Sequence, residues 1–264
     1  MKNHTFLSPR DRGLQQVLSG GDFDWSEATQ GTIQGSLFYG YILSHALGGL
    51  LVQRLGGKQL MAAGMLFSSA VTMATPLAAH LGAFTMVLCR AFIGLGLGVL
   101  IPGCYSLMAA WSPPQERALH LALMSAGMNL GTVVTLPASA WLCERPVDSA
   151  WALVFYLTGC LGFVWSVGWY WVLSDNPASH PRISPWEVAY IQQGCHVRSK
   201  TPPHPPWGQI VTSGPVWVAA FTSFCSSWTF YTMLTELPTY LSRILHSSML
   251  QVLQLHSYGQ HLSL

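Results

Sequence analysis

Arg90 is the one Asp, Glu, Lys or Arg residue placed deep inside an apolar run, Val87-Leu88-Cys89-Arg90-Ala91-Phe92-Ile93. A guanidinium is always charged, and its planar fork of N–H donors matches a carboxylate or phosphate in two-pronged geometry. Putting it in hydrocarbon costs about 2.5–3.5 kcal/mol on insertion scales, so such a residue normally faces a bundle interior or a wet cavity. The chemistry expected of Arg90 is therefore capture of an anion. An interfacial arginine reaching for lipid headgroups is the plainer alternative. Tyr39, Tyr41, Ser125, Asn129, Trp228 and Tyr231 are the polar or amphipathic residues of other apolar runs. They are candidates to share a cavity with Arg90, or simply to bond one helix to the next. Of these, Arg90, Tyr41, Tyr39, Asn129 and Tyr231 form the expected substrate-binding set.

Other chemistries find little support. The six cysteines form no C-x-x-C pair, and no histidine stands at ligand spacing beside them. They read as small apolar residues, and no metal is expected. His256 and His261 are out of phase for one helix face. No His-rich, Asp-Asp or Ser-Lys constellation lies in the apolar runs, so no enzyme and no organic cofactor is expected. Nor does any basic cluster suit nucleic acid.

The elements that must position these residues are membrane spans. Six stretches contain no Asp, Glu, Lys or Arg: 28–53, 59–89, 91–115, 118–143, 149–174 and 201–235. A hydrocarbon core about 30 Å thick needs about 20 apolar residues in a helix. Charged residues make up 8% of the chain, against about 25% in a soluble domain, which excludes a solvated globule. Residues 1–27 hold no apolar core of signal-peptide length, so the first span itself must target the chain. Asn3-His4-Thr5 matches a glycosylation sequon close to the start.

Helices are expected at about 31–52, 60–80, 84–111, 119–142, 151–173 and 215–236. Short connections make sequential neighbours antiparallel. The break 175–212 is polar and proline-rich, an aqueous loop between two groups of helices. Ser112-Pro113-Pro114-Gln115, Ser184-Pro185-Trp186-Glu187 and, more weakly, Asp24-Trp25-Ser26-Glu27 carry the pattern of helix starts. The Ser184 pattern implies a short amphipathic helix at the membrane surface. Arg54, Lys58 and Arg117 flank spans on one side, which places that side in the cytoplasm. Small-x-x-x-small pairs at Gly31/Gly35, Gly94/Gly98 and Gly127/Gly131 are expected to let helices cross closely.

The turn Gly49-Leu50-Leu51-Val52-Gln53-Arg54-Leu55-Gly56-Gly57-Lys58 resembles the signature G-x-L-x-D-R-x-G-R-K of the major facilitator superfamily. Gln53 stands in place of its Asp and Gly57 in place of a basic residue. Phe23-Asp24-Trp25, Gly35-Ser36-Leu37-Phe38-Tyr39-Gly40-Tyr41, Trp111-Ser112-Pro113-Pro114-Gln115-Glu116-Arg117, Val154-Phe155-Tyr156, His180-Pro181-Arg182-Ile183-Ser184 and Ser227-Trp228-Thr229-Phe230-Tyr231 narrow the likeness. In this order they resemble the organic anion transporters: sialin, the vesicular glutamate transporters and the type I sodium–phosphate cotransporters, with sialin-like members nearest. The likeness covers about 22–245.

The resemblance implies an all-α membrane protein with about six spans, equivalent to helices two to seven of a twelve-helix fold. It divides the chain into a polar segment 1–30, a five-helix partial bundle 31–174, a cytoplasmic loop 175–214, a first helix of the second half 215–241 and a divergent tail 242–264. It implies a secondary transporter of organic anions, a shortened form, in which Arg90 and Tyr41 match substrate-site positions. Partners would be a small anionic solute, the lipid bilayer and, for a shortened form, a full-length transporter. H+ and Na+ both stand open as the coupling ion, and lysosomal, vesicular and plasma membranes are not distinguished. Ile93 and Leu97 stand where sialin-like proteins carry Glu, which weighs against proton symport. The vesicular glutamate branch has His where Gln34 stands and Arg where Ser226 stands, which weighs against glutamate. The alternative is a membrane protein that does not transport and associates with a full-length carrier or is degraded.

Overall fold

A computed structural model describes residues 25–143, 150–194 and 207–244. The N-terminal sequon, Cys195 and the paired histidines of the tail lie outside them. All described regular structure is helical: α1 (Glu27–Leu55), α2 (Gly57–Leu81), α3 (Ala83–Gly98), α4 (Leu100–Trp111), α5 (Arg117–Cys143), α6 (Ala150–Val172), α7 (Pro185–Gly194), α8 (Trp207–Thr212) and α9 (Gly214–Ile244), with a 3-10 turn at Pro177–Ser179.

Five segments are long and apolar enough to cross a membrane: Ala28–Leu55, Gly57–Leu81, Ala83–Trp111, Arg117–Cys143 and Ala150–Val172. They fall on the first five expected helices, and the third runs from Ala83 through Arg90 to Trp111, so that the second and third part at Gly82. The sixth expected span lies within α9, which is long enough. Its Thr, Ser, Trp and Tyr residues leave it less apolar than the other five.

Single glycines make the tightest connections. Gly56 alone joins α1 to α2 with φ of 85°, and Gly82 alone joins α2 to α3 with φ of 121°. Both angles lie where a Cβ is costly. Of the expected helix starts, Ser26 caps α1, its Oγ accepting from the Thr29 amide at 3.2 Å. Ser184 caps α7, accepting from the Glu187 amide at 3.2 Å. The third is corrected. Ser112 ends α4, its amide donating to Met108 at 2.9 Å, and α5 begins only at Arg117. Two successive prolines hold a turn open before the helix can close its first hydrogen bonds.

Packing does not follow chain order. α1 runs parallel to α3, with Gly40 seated on Ala91 and Leu95, and Gly48 on Val99 and Pro102. α2 runs antiparallel to α3, with Gly64 on Gly96, and antiparallel to α6, with Gly159 on Met73 and Gly162 on Ser69. In lipid, helices gain little from burying apolar surface, so close backbone approach and interhelical hydrogen bonds hold them together. The buried Ser166 hydroxyl donates to the Ala62 carbonyl at 2.7 Å across the α2–α6 seam. Among the three expected glycine pairs, Gly94 and Gly98 make such a crossing, against α1. Gly31, Gly35, Gly127 and Gly131 have nothing within 4 Å of a built Cβ among the described residues. Spacing marks a smooth helix face, and it does not say whether a partner lies on it.

Candidate functional site

α3 positions Arg90 by crossing α1 one turn further on, at Gly94, and α2 at Ile93 and Gly96. Arg90 is half-buried, and its Nε is fully buried. The guanidinium carbon lies 5.5 Å from the centre of the Phe155 ring on α6. Phe155 is in turn edge-on to Trp151 at 6.0 Å, and Trp151 leans on His80 at 6.1 Å. An aromatic face offers a cation negative charge density, worth about 0.5–2 kcal/mol, but it accepts no in-plane hydrogen bonds. Arg90 Nε is buried without a hydrogen-bond partner, and no ion pair engages Arg90 among the described residues. An unanswered buried donor on a cation is costly.

The other expected site residues divide. Tyr41 is half-buried on α1, and its backbone amide meets Gly94. That places it one turn, about 6 Å, along the seam from Arg90. It stacks on His45, with ring centres 5.4 Å apart and planes at 19°. Tyr231 on α9 is edge-on to Phe38 at 5.2 Å. It also lies within electrostatic range of Tyr41, as does Tyr105 of α4. Tyr39, at 73% exposed, faces away from α3. Asn129 is half-buried on α5, and no hydrogen bond ties it to the other four among the described residues. Phe155, Tyr105 and His45 were not read as site residues. Histidine inside a charge-free run was the available signal for the last. No cluster of His, Cys, Asp and Glu that could hold a metal exists among the described residues.

One end of the bundle gathers the charged loops. Asp175, just past α6, accepts from the Lys58 amide at 2.8 Å and lies against Gly56. It thereby answers a free N–H at the start of α2. The Lys58 ammonium sits 4.8 Å above the Tyr170 ring. Trp111 donates its indole N–H to the Ser174 carbonyl at 2.9 Å, and Tyr190 of α7 donates to Glu116 at 3.1 Å. That bond holds the Tyr190 phenol above its ordinary range. Arg54, Lys58, Arg117 and Arg182 thus share one end. The acid that closes the α1–α2 turn is Asp175, 117 residues from Lys58, where the resembling signature has its own Asp at the position of Gln53.

The family model described as Major Facilitator Superfamily matches residues 14–263. The chain belongs to the major facilitator superfamily. Among curated facilitators, sialin from Homo sapiens is 40% identical over 227 residues, covering 86% of this chain and 45% of that protein. Sialin from Ovis aries is 39% identical over 227 residues, with coverage of 86% and 45%. The sodium-dependent phosphate transport protein 1 of Arabidopsis thaliana chloroplasts is 36% identical over 231 residues, covering 87% of this chain and 44% of that protein. The chain spans less than half the length of these relatives. As a facilitator with five apolar spans it is an integral, multi-pass membrane protein.

Proposed function

We propose that this chain serves the passage of small organic anions across a membrane, in the manner of a sialin-like secondary carrier. The observation that carries the reading is Arg90, a guanidinium within the third span whose Nε has no hydrogen-bond partner among the described residues. Arg90 binds the carboxylate. Tyr41 and Tyr231, with Tyr105 beside them, supply hydroxyls and ring faces to the body of the solute. Tyr39 and Asn129, which the sequence placed in the same set, stand apart from this group. The identities to sialins and to a phosphate carrier support an anionic solute.

The test is uptake of a labelled organic acid by the purified chain in liposomes, with and without proton and sodium gradients. Charge-assisted hydrogen bonds are worth about 1.5–3 kcal/mol, so Arg90→Gln lowers saturable uptake by about tenfold to a hundredfold. Arg90→Lys keeps the charge, loses the fork and falls between. Absence of saturable flux under every gradient overturns the reading. A second reading is a membrane protein that does not transport and pairs with a full-length carrier. It draws on Ile93 and Leu97, apolar where the resemblance implies carboxylates. Co-purification with a full-length relative, together with absent flux, favours it.

A further inference from the structure

The third span is interrupted at one residue, Val99, which itself keeps helical dihedrals of φ −82° and ψ −12°. α3 stops at Gly98 and α4 starts at Leu100, with Val99 between them. The cause is Pro102, four residues after Gly98. Proline has no N–H to give the carbonyl four residues back, and its ring pushes that carbonyl aside. The Gly98 carbonyl therefore has no partner from its own helix, within an apolar span where an unpaired backbone group is costly. It is nevertheless paired. His45 of α1 places Nδ1 at 3.1 Å from it. A carbonyl oxygen only accepts, so the ring nitrogen facing it carries the proton, and the neutral imidazole is the Nδ1–H tautomer.

The surroundings hold the ring in place. The Tyr41 ring stacks on one face of His45. One residue before it, Ser44 donates to the Gly40 carbonyl at 3.0 Å and approaches the Gly94 carbonyl at 3.4 Å. Gly48, one turn on, packs against the Pro102 ring, so α1 contacts both sides of the break.

We propose that His45 is a positioning residue for the anion site: by donating to the Gly98 carbonyl that Pro102 leaves unpaired, it pins the joint between α3, which carries Arg90, and α4, which carries Tyr105. The joint sets where Tyr105 stands relative to the Arg90 guanidinium. The inference deepens the anion-carrier reading, and its decisive measurements involve no anion, so the two fail separately.

The test uses the full chain in lipid nanodiscs with five of the six cysteines replaced by serine, leaving either Cys89 on α3 or Cys104 on α4. Cys104 Sγ lies 3.3 Å from Met124 Sδ of α5, so its reaction with a membrane-permeant maleimide reports movement of α4. His45→Phe keeps a ring against Tyr41 and removes the donor. It raises Cys104 labelling about fivefold and leaves Cys89 unchanged. His45→Gln restores a donor and returns Cys104 to the parent rate. Nitrogen-15 NMR of histidine-labelled protein shows a neutral Nδ1–H signal that His45→Gln removes. Where the parent carries saturable flux, its maximal rate falls in His45→Phe and recovers in His45→Gln. An unchanged Cys104 rate in His45→Phe, a His45→Gln variant that behaves like His45→Phe, or a neutral Nε2–H tautomer overturns the proposal.

Discussion

Replacing Gly94 by Ala tests the claim that backbone contact, and not apolar burial, holds the first and third spans together. A Cβ built on Gly94 comes within 2.9 Å of the Tyr41 amide nitrogen and 3.0 Å of the Leu37 carbonyl carbon. Both obstructing groups are backbone, so no side chain can swing away. The helices must part by several tenths of an ångström along the whole seam, and opening a packed contact by 0.5–1 Å forfeits about a quarter to a half of its attraction. Overpacking commonly costs about 1–3 kcal/mol, and a backbone collision belongs at the top of that range. At about 2–4 °C per kcal/mol for a chain of this size, the unfolding midpoint falls by about 6–12 °C. Gly35 is the matched control, because nothing lies within 4 Å of its Cβ position among the described residues. There Ala gains about 0.5–1 kcal/mol of helix preference, and the midpoint rises slightly. Tryptophan fluorescence during a thermal ramp in mild detergent reads both. A midpoint for Gly94→Ala within 1 °C of the parent, or an equal fall for Gly35→Ala, refutes the reasoning.

Asp175→Ala removes the acceptor of the Lys58 amide and costs about 1–2 kcal/mol, the usual value of a helix cap; thermal unfolding measures it, and Asp175→Asn, which keeps an acceptor without the charge, falls between. Gly56→Ala meets both a φ of 85° and the Asp175 carboxylate, so it destabilises at least as much by the same assay. Tyr190 holds its phenolic proton against Glu116 more tightly in the folded chain than the unfolded chain does. That contact is complete below the unfolded value of 10.0 and is lost as pH rises through the raised folded value. The ultraviolet difference titration of the parent against Tyr190→Phe shows a midpoint above 10.0, and Glu116→Gln brings it down. Ser166→Ala removes the hydroxyl that reaches the Ala62 carbonyl and lowers stability by about 0.6 kcal/mol, the average for interhelical hydrogen bonds in membranes.

Much of the scaffold was legible because charge is forbidden in lipid. Arg54, Lys58 and Arg117 stand within one residue of a helix end or start, and Asp175 three residues past one. The Ser26 and Ser184 caps were legible because a cap is a local bond over three residues. Ser112 failed where the local rule met a second demand: the same hydroxyl residue that could start α5 is buried where α4 stops. Which glycines pack was not legible, since Gly31 and Gly94 have the same spacing and differ only in what lies opposite. Arg90 could be picked out as a lone cation, but its seat over Phe155 could not, because the two residues are far apart in the chain. The break at Val99 was readable from Pro102 and went unread because the surrounding run is uniformly apolar. Its repair by His45 depends on a neighbour 53 residues away.

The order in which the spans are made differs from the order in which they fit together. The first two helices emerge as a hairpin, yet the Ser69 face of the second finds its counterpart in α6, along a seam whose hydrogen bond reaches across 104 residues. The Asp175 clasp arrives later still. Until synthesis has passed that point, hydroxyl and bare backbone surfaces meant for protein are presented to acyl chains. Maturation of this protein therefore includes an interval in which membrane chaperones or proteases can recognise it. Variants that loosen the α2–α6 seam lengthen that interval, and they lower yield more than they lower the stability of the molecules that escape it.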